Sequence, residues 1–276
     1  MSDASAAAPS PTARTLWSDI VRDYGTQIWA VAGAEIAKLR HDPVELVSRA
    51  IQPVLWLVLF GEVMGRVRGM NTGAISYRDF LAPGILAQSV LFAAIFYGIA
   101  AIWERDLGIL QRYLVSPAPR SALVIGKEIS SAIRGLVQGF IVYLIALLIG
   151  TDLSFDPLHM VGAALFIALG SALFSTFSLI MACLVKTRER FMGIGQVLTM
   201  PIFFASNAIY PIALMPRWLQ IVSHANPLTY QVDALRTLML RGAETSVGLA
   251  IDFGVLSITT FCLTLMAAHL YPRMGS

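Results

Sequence analysis

Charge is what this sequence has least of. Asp, Glu, Lys and Arg make up 13% of its 276 residues, about half the roughly 25% of an ordinary soluble domain. A chain that is 57% hydrophobic, with a mean hydropathy of +0.70, has too few polar groups to cover a globule of this size in water. That argues against a soluble enzyme, a nucleic-acid binder and a disordered scaffold. The net charge of +3 is too small to mark a polyanionic partner. Cysteine is nearly missing, and Cys183 and Cys262 both lie in apolar runs without metal-ligand neighbours, so neither a disulfide framework nor a zinc site is expected. The chain reads as an integral membrane protein.

Catalytic signatures are missing too. Gly126–Lys127 resembles the end of a phosphate-binding loop, but Ser121 stands where its first glycine is needed and Glu128 where Ser or Thr must ligate magnesium. Gly193-x-Gly195 lacks its third glycine, because Leu198 occupies that place. His41, His159, His224 and His269 are scattered with no HExxH pairing, and each reads as a lone interfacial or packed histidine. The repeats Gly61-x3-Gly65-x3-Gly69 and Gly135-x3-Gly139 let helices approach closely, and are read as packing first and dimerisation second.

What is present is long apolar sequence. No charge falls between Asp79 and Glu104, Asp156 and Lys186, Arg190 and Arg217, or Asp252 and Arg273. A bilayer core about 30 Å thick needs roughly 20 such residues in helix. Two weaker runs, about 47–65 with Glu62 and about 129–150 with Arg134, complete a set of six expected spans. Glu62 has Arg66 four residues on, a spacing that shares a helix face. Arg134 is expected near a span start, where its long side chain reaches the headgroups. On this reading Glu62, Arg134 and Asp252 all sit at span ends. Mid-membrane charge, the usual mark of a gradient-coupled carrier, is then nearly absent, and energy for pumping must come from another subunit.

Of the 20 basic residues, thirteen fall in the tail and in alternate connections, six in the opposite set. The excess marks the cytoplasmic side, so both termini are expected there. Residues 1–15 are Ala/Ser/Pro-rich without an apolar core and read as a disordered tail rather than a cleavable signal. Residues 16–42 carry an apolar stripe through Leu16, Ile20, Tyr24, Ile28, Val31 and Leu39, with Trp17 and Trp29 beside it. That pattern predicts an amphipathic interfacial helix, serving either as an anchor or as a docking surface. The membrane domain is expected over 46–271.

Two connections hold further helical patterns. In 103–120, Leu107, Leu110, Tyr113 and Leu114 recur at helical spacing before Pro117 and Pro119, and Ser121 is placed to cap the next helix. This segment is either a polar connector or a device that transmits force from a soluble partner. Between the last two spans, Arg217 to Ala225 predicts about two helical turns, and Asn226–Pro227 a cap with proline at the first helical position. The helix that follows stops near Gly242. Both are too short to span and are expected either to fold back into the outer leaflet as re-entrant helices or to cap a cavity. The expected fold class is therefore an all-α polytopic membrane protein.

The segments LRHDPVELVSRAIQPVLWLVLFG (39–61), WERDLGILQRYLVSPAPRSALVIGKE (103–128) and MPRWLQIVSHANPLTYQVDALR (215–236), with six spans behind an amphipathic start, resemble the ABC type-2 transporter permease family. The likeness covers nearly the whole chain from about Trp17. It implies the permease of a bacterial ATP-driven exporter in the cytoplasmic membrane, not itself an enzyme, with no cofactor of its own. ATP and magnesium would be bound by a separate cytoplasmic ATPase, present in two copies beside two copies of the permease. It implies ATPase-coupling contacts at Glu104, Arg105, Gly108, Leu110, Leu114 and Pro117. Where the family pattern often shows two successive acids or an Arg-Glu pair, this chain has Glu104-Arg105-Asp106. The DALR segment and the length are similar to daunorubicin-resistance and nodulation-factor exporters, which implies an amphiphilic drug, lipid or lipo-oligosaccharide. Phe92, Phe96, Phe203, Phe204 and Asn207 are candidates to line its path, against a packing role for each. The rival classes are a self-sufficient secondary carrier or channel and a membrane-embedded lipid-modifying enzyme, for which Glu104 and Asp106 are the one candidate acid pair.

Overall fold

Uninterrupted apolar sequence with few helix breakers satisfies its backbone groups internally as helix, and the computed structural model follows this rule. It describes residues 25–30, 32–33, 37, 51–65, 75–108, 120–185 and 187–271. Residues 25–30, 32–33 and 37 are helical, with Trp29 exposed and Ala32 buried. The tail 1–15 and most of the expected interfacial helix lie outside the described residues. A short apolar helix follows, α1 (Ile51–Met64), which loosens into a π-helical turn over Trp56–Phe60. Then come α2 (Tyr77–Asp106), α3 (Arg120–Leu148), α4 (Pro157–Leu184) and α5 (Arg188–Phe204). The chain ends in two short helices, α6 (Arg217–Ala225) and α7 (Pro227–Met239), and a long one, α8 (Leu249–Leu270). Among the described residues there is no strand, only one isolated bridge between Leu153 and Leu240.

Among the described residues four helices, α2, α3, α4 and α8, are long and apolar enough to cross a membrane. The uncharged run from Arg190 to Arg217 does not form one such helix. Pro201 lies in its last turn, Ala205 caps it on the Pro201 carbonyl, and α5 stops after 17 residues. The rest of that run becomes a bent connection, a 3-10 turn over Ile212–Leu214 and α6.

Long helices α2, α3 and α4 form the core. Glycines set their spacing: a methyl on Gly98 of α2 would fall on Ser178 of α4, and one on Gly135 of α3 on the Ser171 side chain of α4. Helix α7 folds back into this core, while α6 leads into it and stays largely exposed. Gln231 packs on Gly170 of α4 and Leu238 on Gly162. Gly170 lies 13 residues from the start of α4, so at 1.5 Å per residue α7 reaches roughly 20 Å into the bundle. The turn between α6 and α7 is fastened there by Asn226, which donates from Nδ2 to the Ile202 carbonyl at 2.6 Å. Asn226 also caps α7 from its side-chain oxygen, with Pro227 at the first helical position, as the dipeptide predicts.

Three charged positions differ from expectation. Helix α3 begins at Arg120, well before the apolar run near Ile129, because Lys127 and Glu128 find partners inside the bundle. Arg134 therefore sits halfway along a 29-residue helix, its guanidinium 5.4 Å from the centre of the Tyr97 ring. Ser121 falls within the helix rather than before it. Glu104 likewise belongs to the last turn of α2, not to a free loop. Asp252 does lie in the first turn of α8, at a span end, yet it is fully buried. Glu62 pairs with Arg78 across the gap between α1 and α2, and Arg66 lies outside the described residues.

Candidate functional site

The Asp106 end of the bundle gathers charge from three helices. Glu104 on α2 accepts from Lys127 Nζ on α3 at 2.6 Å, with side chains only 6% and 4% exposed. The pair is buried and ties the end of α2 to α3. Two residues further, Asp106 Oδ1 accepts from Arg105 at 3.0 Å. Its Oδ2 accepts from Arg188 Nε and Nη2 at 3.1 and 2.8 Å. Arg188 opens α5, whose Thr187 cap accepts from the Arg190 amide. The Arg188 guanidinium also lies 3.6 Å from the centre of the Trp103 ring, a cation–π contact. Helix α2 ends because Gly108 takes a left-handed conformation (φ 71°) and its amide bonds the Arg105 carbonyl. Trp103 and Leu107 stay largely exposed beside this cluster. Of the expected coupling residues, Glu104, Arg105 and Gly108 are brought together here. Leu110, Leu114 and Pro117 lie outside the described residues.

The expected path residues separate into two groups. Phe92 and Phe96 line shallow depressions, one against Gln52 and Pro53 of α1 and one against Met192, Gly195, Gln196 and Thr199 of α5. Phe203 is fully buried, its ring 6.1 Å from Trp56 and 5.3 Å from Phe204. Phe204 is partly exposed. Asn207 is buried, and its backbone carbonyl accepts from Arg236 at 2.8 Å. In this conformation Phe203 and Asn207 pack the core.

A further cluster escaped sequence reading. Asp233 on α7 accepts from Thr245 Oγ1 at 3.0 Å, from the Ser246 amide at 2.9 Å and hydroxyl at 2.8 Å, and from the Val247 amide at 3.3 Å. It thereby fixes the connection that leads into α8. Three residues on, Arg236 stacks 3.8 Å from the Phe80 ring centre and reaches the Asn207 carbonyl. The signal was an acid and a base three residues apart in the helix predicted after Asn226–Pro227, a pair that its reading by apolar positions passed over.

This arrangement holds no cluster of His, Cys, Asp and Glu suited to a metal among the described residues. It consists of a mostly apolar helical body with ion pairs at one end and the folded-back helix α7 at the other. Residues 26–240 match the family model described as ABC-2 type transporter. The chain belongs to the ABC-2 type transporter family. Among its relatives, the putative transport permease ycf38 of Cyanophora paradoxa is 31% identical over 207 residues, 73% of this chain and 70% of the relative. The inner membrane transport permease YadH of Escherichia coli K12 is 28% identical over 234 residues, 83% and 87% of the two chains. The daunorubicin resistance permease DrrB1 of Streptomyces coeruleorubidus is 25% identical over 214 residues, 78% and 74%. As an ABC-2 permease the chain is a multi-pass membrane subunit of a transporter, of a family that normally works with an ABC ATPase.

Proposed function

We propose that this permease is the membrane subunit of an ATP-driven exporter that moves an amphiphilic drug, lipid or lipo-oligosaccharide across the bacterial cytoplasmic membrane. A separate ATPase binds ATP and magnesium. Two ATPase subunits and two copies of this chain, most simply a homodimer, make the working unit. The observation that carries the reading is the Asp106 end of the bundle. Exposed Trp103 and Leu107 stand beside Asp106, while Glu104–Lys127 and Asp106–Arg188 connect that surface to α3 and α5. A push delivered there moves three helices together. This end carries the excess of basic residues in the sequence, which supports a cytoplasmic position and cytoplasmic termini. On that orientation α1 and α5 complete six crossings, and α6–α7 enters from the outer side.

The test uses inside-out vesicles holding the permease and its ATPase. Uptake of an amphiphilic dye is expected to stop when the ATPase's catalytic residue is replaced, and to continue when the membrane gradient is dissipated at constant ATP. The purified chain alone is expected to hydrolyse no ATP. Transport that survives the first change and dies with the second refutes the proposal in favour of a secondary carrier.

A further inference from the structure

Gln88, Phe92 and Phe96 recur every four residues along α2, so they stand on one helix face one turn apart. On α5 the facing positions Met192, Gly195, Gln196 and Thr199 repeat with the same helical spacing, and α1 supplies Gln52 and Pro53. Two neighbouring polar groups in this groove are already satisfied. Ser89 Oγ accepts from Gln138 Nε2 at 2.8 Å, and the Thr199 hydroxyl donates to the Gly195 carbonyl of its own helix at 2.5 Å. Gln88 differs. It is only 3% exposed, lines the depression between α1 and α2, and has no side-chain hydrogen bond among the described residues. Its amide atoms are not sealed inside the protein but open onto the depression, and an amide that meets only apolar surface there leaves its hydrogen-bonding capacity unused. A ligand that supplies both a donor and an acceptor takes up that capacity.

The depression has a volume of about 60 Å³, room for one small polar group at roughly 30 Å³ per water. The body of a ligand must then lie outside it, on the partly exposed Phe96 ring. Among the described residues, no Asp, Glu, Lys, Arg or His lines the groove. An ammonium or carboxylate seated here would be stripped of water with no counter-charge from the described residues beside it, a cost that a cation–π contact of about 2 kcal/mol with a phenyl face offsets only in part. An amide offers one acceptor oxygen and two donors, which matches a hydroxyl, ether or carbonyl.

We infer that Gln88, with Phe92 and Phe96, seats an uncharged hydrogen-bonding group of the transported amphiphile, and so selects neutral, hydroxyl-bearing amphiphiles over ionic ones. The inference rests on the export reading above for what the ligand is doing there. Its test is photolabelling of the permease, with its partner, in native membranes by a diazirine-bearing dodecyl glucoside. Label is expected on the peptide spanning 88–96, and unlabelled dodecyl glucoside should displace it at least tenfold more effectively than dodecyltrimethylammonium or dodecanoate. Gln88→Leu is expected to cut labelling three- to tenfold, and Gln88→Asn to keep most of it. Equal competition by either ion, label elsewhere, or undiminished labelling of Gln88→Leu overturns the inference. If Gln88→Leu fails to reach the membrane, the competition order on the unaltered chain decides. Labelling needs no ATP, so correct labelling without ATP-driven export breaks the export reading alone. Export with indifferent competition breaks this inference alone.

Discussion

Replacing Lys127 with methionine leaves the Glu104 carboxylate inside the bundle without its cation. The two side chains meet at 2.6 Å with 4% and 6% exposure, so water cannot take the place of the ammonium. Breaking a buried pair on one side costs about 3–5 kcal/mol, whereas replacing both members with uncharged groups of similar volume is close to neutral. At roughly 2–4 °C per kcal/mol, Lys127→Met is expected to lower the apparent melting temperature by about 6–20 °C. The double variant Glu104→Gln/Lys127→Met is expected to recover most of that loss. The assay is heating of the purified chain in nanodiscs followed by fluorescence-detected size exclusion. The same variants in inside-out vesicles separate stability from coupling: the double variant should fold yet transport less per ATP hydrolysed, because the tie between α2 and α3 is weaker. A double variant as unstable as Lys127→Met, or a single variant that melts with the parent, refutes the reasoning.

Other outcomes test other parts of the fold. Gly84→Ala drives a methyl onto the Ala208 backbone and is expected to cost about 1–3 kcal/mol, whereas Gly254→Ala, with open space around it, should be silent in the same melting assay. Arg236→Leu leaves the Asn207 carbonyl without its donor; a loss of about 1.5–3 kcal/mol and faster hydrogen exchange over 205–225 are expected. Asp106→Ala breaks a partly exposed contact to Arg188, worth about 1 kcal/mol or less to stability, but should lower ATPase-coupled uptake severalfold while leaving melting unchanged. Single cysteines placed at position 3 and at position 244 should react with a membrane-impermeant maleimide from opposite sides.

Membrane residence and most of the long helices were legible in the sequence, because a bilayer imposes one simple demand: about 20 residues without charge. The Asn226–Pro227 start of α7 was legible for an equally local reason, since capping needs only the next two or three amides. Charges inside the bundle were not. Sequence hydropathy treats every Lys or Glu as an argument for water, and that pushed the start of α3 to Ile129 and Arg134 to an interface. Lys127 is compatible with the interior only because Glu104, 23 residues away, meets it, and Glu128 only because Thr176 and Thr264 on two other helices donate to it. The same holds for the uncharged run after Arg190. Its composition suits a span, and only the packing of Asn226 against Ile202 and of Gln231 against Gly170 turns its far half back into the core. Local apolar sequence thus determined that this chain lives in a membrane and where its long helices run. Which polar groups could live there with it was decided by partners distant in sequence, because the cost of burying a charge depends on what stands within 3 Å of it.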